Sequence, residues 1–82
     1  MDDTSTGIRP IREIADDIRR HWTKPHYAAV PYLKAMGHLD RITDMFMADD
    51  ARGIVRYFLS NAGTWRGDDA RRIKAKLQNL LS

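Results

Sequence analysis

The chain has 82 residues, of which 43% are hydrophobic and 30% charged, with no cysteine and a formal net charge of +3. That length supports one domain with a modest core, burying roughly 60–65% of the surface its unfolded chain exposes. The absence of cysteine excludes a disulfide staple, a thiolate metal site and a cysteine nucleophile.

The longest runs without charge, His26–Leu33 and Tyr57–Trp65, fall far short of the ~20 apolar residues that a membrane span needs. The opening Met1-Asp2-Asp3-Thr4-Ser5-Thr6-Gly7 is acidic and polar, with no apolar stretch behind it, unlike a secretion signal. We therefore expect a cytoplasmic protein with no membrane contact. Ten of the 14 cations are Arg, but 11 carboxylates lie among them, so the positive excess reads as a solvated surface before it reads as an anion site.

Residues 1–9 carry no clear pattern and are expected to form a flexible N-terminal tail, with 10–82 as a single helical domain. Pro10 suits the first turn of a helix, because its φ is already helical and its missing N–H is not needed there. Ile8, Ile11, Ile14, Ala15, Ile18 and Trp22 share one side of a helical wheel, which predicts a helix over roughly Pro10–Trp22. Arg12, Glu13, Asp16, Asp17, Arg19 and Arg20 fall on its other face, with Asp16 and Arg20 as an i,i+4 pair. Thr23-Lys24-Pro25 ends that helix, since the residue before a proline is pushed out of the α region.

A second helical pattern, Ala29, Tyr32, Leu33 and Met36, must begin between Ala28 and Pro31, because Pro31 in mid-helix costs about 3 kcal/mol. Gly37 is placed to cap it in the left-handed conformation. Leu39, Ile42, Met45 and Phe46 then suggest one or two further helical turns with Asp40 as N-cap. Met47-Ala48-Asp49-Asp50 reads as a turn, and Asp49 or Asp50 can cap the next helix.

In that helix Ala51, Ile54, Val55, Phe58, Leu59 and Ala62 recur at the spacing of one helical face. Ser60–Gly67 is a break rich in cap chemistry, in which Asn61 or Gly63 can take the left-handed C′ position. Ala70, Ile73, Leu77, Leu80 and Leu81 carry a last helix that starts near Gly67 or Asp68, with Asp68 and Asp69 at the positive end of its dipole. DDAR occurs at Asp49–Arg52 and again at Asp68–Arg71, which we read as a capping solution used twice, without a duplicated repeat. The expected fold is all-α: a small bundle of three main helices plus a short connecting helix, organised around the C-terminal helical hairpin.

The run YFLSNAGTWRGDDARRIKAKL, preceded by PYLKAMGHLDRITDMF and by a helix ending in Trp22, resembles small uncharacterised proteins of phages and mobile elements of Gram-positive bacteria. The likeness covers Ile11 to about Leu80. What it implies is a compact accessory protein that acts on host or viral machinery, inhibition of a host defence being one such task, and a host-cell cytoplasmic location. Its motifs carry no catalytic residue that can be transferred.

Candidate chemistry is sparse. His21, His26 and His38 form no His-x-x-x-His pair, and Asp40, Asp44, Asp49 and Asp50 do not follow the alternate-oxygen pattern of a calcium loop, so no metal or other cofactor is expected. Glu13 lies among exposed charges, there is no glycine-rich phosphate loop, and no Ser has a His at suggestive spacing, so an enzyme is not expected. The last two helices look superficially like helix-turn-helix, but with Gly63 at the turn Leu59 and Asp69 fall where a small residue and a buried aliphatic belong. Arg66, Arg71, Arg72, Lys74 and Lys76 can still contact phosphates from the solvent side, which keeps a nucleic-acid-binding regulator using the basic C-terminal helix as the alternative.

Trp22, Phe58 and Trp65 are expected in the core, with Met36, Met45, Phe46 and Met47 as packing filler. Tyr57 falls opposite the buried stripe, near Asn61. It is either a surface side chain lying over the neighbouring helix or, with Arg56, Arg66 and Arg71, a binding surface of the composition that dominates interface hot spots. The expected activity is non-enzymatic binding of a host or viral protein, with a homodimer completed by a second copy as a further possibility.

Overall fold

A computed structural model describes residues 9–82. Among these residues are four helices, α1 Ile11–His21, α2 Val30–Met36, α3 Ala51–Ser60 and α4 Asp68–Leu81, and a two-stranded antiparallel sheet of β1 Met45–Phe46 and β2 Asp49–Asp50. The fold is mostly helical, and no helix among the described residues is long and apolar enough to cross a membrane.

The helices form a closed circuit in which α1 packs on α2 and α4, and α3 packs on α2 and α4. The broadest contact is between α2 and α3, whereas the two arms of the C-terminal hairpin touch less extensively. Ile11, Ile14, Ala15 and Ile18 of α1, Leu33 and Met36 of α2, Ile54, Val55 and Phe58 of α3, and Ala70, Ile73 and Leu77 of α4 converge on one core. Trp22 packs into it, stacked on Trp65 at 5.4 Å and meeting Phe58 edge-on at 6.1 Å. Aromatic pairs of both geometries are favourable beyond the area they bury.

α1 matches its predicted stripe, although Ile8 lies outside the described residues and Pro10 is the N-cap, one position earlier than expected. Arg9, assigned to the tail, is held by the domain: its guanidinium donates to Asp17 at 2.7 Å and lies 3.6 Å from Glu13. Asp17 is buried, in contrast to its expected place on the solvent face, and it takes Arg20 as well. The expected Asp16–Arg20 pair is therefore not formed, and Asp16 meets Arg19 at 3.7 Å instead.

α2 begins at Val30 with Pro31 in its first turn, where a proline is tolerated. Gly37 ends it with φ −65°, a right-handed conformation, so the expected left-handed cap is absent. Asn61 likewise closes α3 at φ −105°, its side-chain amide donating to the Tyr57 carbonyl at 2.8 Å. The left-handed glycine is Gly67, at φ 112° and ψ 179°, a region open essentially to glycine alone.

The segment Leu39–Phe46 departs most from its sequence. The sequence suggests one or two helical turns; a docked loop and a β-strand are found. Backbone partners explain the change. The carbonyls of Asp40 and Leu39 accept from the N–H groups of Ile11 and Arg12 at 2.9 and 2.8 Å, capping α1, and the Asp40 carboxylate pairs with Arg12. Asp40 is thus not a helix N-cap. The Asp44 carboxylate accepts from the N–H groups of Arg41 and Asp40, both at 2.9 Å, and these bonds hold it below the usual carboxylate range. Leu39 is buried, but Met45 and Met47 are 60% and 86% exposed, so neither is packing filler. Phe46 is part-buried and stacks on His38 at 4.9 Å.

Asp50 is the N-cap of α3, its carboxylate accepting from the Gly53 N–H at 2.7 Å. The second DDAR is used differently. Gly67 is the N-cap there, and Asp68 and Asp69 are inside the helix, each 3.2 Å from the Arg three residues on, Arg71 and Arg72. The repeated tetrapeptide therefore does not repeat its capping role.

Candidate functional site

The expected binding residues occupy two places. Arg66 and Arg71 line a hollow of about 360 Å³ with Gly63, Trp65, Gly67, Ala70 and Lys74. Tyr57 lines a separate hollow of about 380 Å³ with Tyr32, Ala48, Asp49, Asp50, Gly53 and Ile54. Arg56 is exposed on α3 and lines neither.

In the first hollow the cations are largely engaged. Lys74 Nζ donates to the carbonyls of Ala62 and Trp65, each at 2.6 Å, and lies 5.9 Å from the centre of the Trp65 ring. Burial, with a smaller contribution from the Arg66 charge, lowers the Lys74 pKa. Lys74 thus fastens the α3–α4 connection to α4, contrary to its expected place among solvent-side phosphate contacts. Arg71 and Arg72 face Asp68 and Asp69, and His21 Nδ1 comes within 3.2 Å of Asp69, joining the end of α1 to the start of α4.

The second hollow lies between α2, α3 and the β-hairpin. Tyr57 is 58% exposed and stacks on Tyr32 of α2 at 5.5 Å. The ring leans on the neighbouring helix, as in the first of the two alternatives read from the sequence, and keeps a face to solvent. Ile54 provides a buried floor, and Gly53 leaves the helix surface bare beside it. A side chain there would also meet the capping oxygen of Asp50 at 2.9 Å.

The turn that the sequence suggests over Met47–Asp50 is confined to Met47-Ala48, and Asp49–Asp50 form a strand that walls this hollow. Phe46 pairs with Asp49, leaving Met47-Ala48 as a two-residue loop. Met47 is the one non-glycine among the described residues with positive φ, at 57°. Positive φ at the first loop residue alone is the type II′ arrangement, whose first position favours glycine. No Asn-Gly or Asp-Gly marks the turn, so the usual signal for a hairpin is missing.

His26 stacks on Tyr27 at 4.7 Å and His38 on Phe46. Among the described residues no three of His, Cys, Asp or Glu come together in a way that could hold a metal ion. Comparison with protein-family models, with curated proteins and with solved structures finds no match.

Proposed function

We propose that this chain is a small non-enzymatic accessory protein, of the kind encoded by phages and mobile elements, that acts in the host cytoplasm by binding a host or viral protein. The observation that carries this reading is the Tyr57 hollow. A half-exposed tyrosine, held in place by a stacked neighbour over an aliphatic floor, is an interface anchor with little rotamer freedom left to lose. Met45 and Met47, exposed on the adjoining hairpin, add adaptable apolar surface. Arg56 beside Tyr57, and Arg66 and Arg71 at the other hollow, are the polar contacts of this reading.

Protein is favoured over nucleic acid because three of the four basic residues of α4 are engaged, Arg71 and Arg72 with Asp68 and Asp69 and Lys74 with backbone carbonyls. The same reading keeps the α3–α4 hairpin as the element the domain is organised around, supported by the way Trp65 and Lys74 fasten its connection.

Affinity capture with tagged protein from host lysate, with and without nuclease and at low and high salt, tests the proposal. One protein retained after nuclease at high salt is the expected result. Recovery of nucleic acid at low salt alone would overturn it, since phosphate contacts weaken steeply with salt.

A further inference from the structure

The Tyr57 hollow has a chemistry unlike that of the chain as a whole. In a protein of net charge +3 with 14 cationic side chains, this hollow is lined by two carboxylates, two tyrosines and no cation. Asp49 is exposed and has no ion-pair partner among the described residues. Asp50 uses one oxygen, Oδ1, on the Gly53 N–H, which leaves Oδ2 for another donor.

We propose that this hollow receives an arginine side chain from a basic segment of the partner protein, its guanidinium lying on the Tyr57 ring and donating to Asp49. The inference rests on the protein-binding reading above and adds the partner's chemistry to it. A guanidinium is planar, stacks on aromatic faces and forks onto a carboxylate, whereas an ammonium is a point charge that offers no flat surface to the ring. Tyr32 stacked against Tyr57 restricts the ring that the guanidinium meets. Gly53 and Ala48 keep the walls low, and Ile54 gives the aliphatic stem of the arginine an apolar floor. The partner segment also meets Met45 and Met47, so apolar residues flanking its arginine complete the match.

Titration of isotope-labelled full chain with acetyl-Leu-Arg-Leu-Arg-Leu-amide, followed by amide NMR shifts, tests the assignment, with acetyl-Leu-Glu-Leu-Glu-Leu-amide as the charge-reversed control. The expected result is saturable shifts at Tyr32, Ala48–Ile54 and Tyr57 with the basic peptide only. Binding should weaken about tenfold in Asp49→Lys and in Tyr57→Ala, a loss of about 1.4 kcal/mol each. Both variants change exposed side chains, and a wild-type-like amide spectrum is the check that each folds. No saturable shift at the hollow up to roughly 5 mM peptide, where even a roughly 1 mM site would fill, overturns the proposal. Equal binding of the acidic peptide overturns the arginine assignment but leaves protein docking at the hollow standing. Failure of the capture experiment above, by contrast, removes the protein-binding reading itself.

Discussion

Asp17 lies on the polar side of a helical wheel, yet it is only 9% exposed because Arg9 and Arg20 close over it. Burial opposes its ionisation, but the bonds and charges of the two arginines outweigh that and lower its pKa below 3.8. A carboxylate whose pKa is lowered on folding contributes stability that is present above its unfolded pKa and lost as pH falls through the folded one. Asp17→Asn should therefore cost about 2 kcal/mol in urea unfolding at pH 7. The gap from wild type should narrow as the pH drops below 3.8; a gap that stays constant to pH 2 would contradict the pairing. Met47 behaves in the opposite way, since its left-handed backbone costs about 1 kcal/mol while its side chain buries almost nothing. Met47→Gly should leave unfolding stability unchanged or raise it by up to about 1 kcal/mol, as urea midpoints would show.

At the scale of elements, α1, α3 and α4 were legible because each has an apolar stripe of helical period over ten or more residues. α2 was placed by a single constraint, the intolerance of a helix interior for Pro31. Leu39–Phe46 was not legible, because the apolar spacing of Leu39, Ile42, Met45 and Phe46 fits a helix equally well. What decides against the helix is distant in sequence: the carbonyls of Leu39 and Asp40 cap α1, twenty-eight residues earlier for the Arg12–Asp40 pair. Tertiary hydrogen bonding overrode a local pattern. Caps were half legible, since Asp50 acts as foreseen whereas the left-handed glycine sits at the start of α4. Asp50→Ala should cost about 1 kcal/mol, while Gly67→Ala should cost 1–2 kcal/mol by roughly the penalty of a non-glycine in that region, both read from thermal unfolding. Lys74→Met keeps a stem over Trp65 and loses both carbonyl bonds. It should cost about 2 kcal/mol and speed hydrogen exchange selectively in Asn61–Gly67.

For the whole molecule, charge and surface divide the candidate functions. Tyr57 was legible as exposed because its wheel position is unambiguous, but Tyr32 was not legible as its stacking partner, because α2 and α3 are joined only in the fold. The surface that the sequence groups as Tyr57, Arg66 and Arg71 is divided in the fold: Arg66 and Arg71 line one hollow and Tyr57 another, because they stand on different elements whose relative orientation only tertiary packing sets. Tyr57 is the proposed anchor of a protein interface. The most direct test is capture from nuclease-treated lysate at high salt with wild type, Tyr57→Ala and Arg72→Ala side by side, quantifying one retained protein. Wild type should retain this protein, Tyr57→Ala should retain at least about tenfold less, as expected of a hot-spot side chain, and Arg72→Ala, on the solvent side of α4, should change little. Equal retention by wild type and Tyr57→Ala would contradict that role.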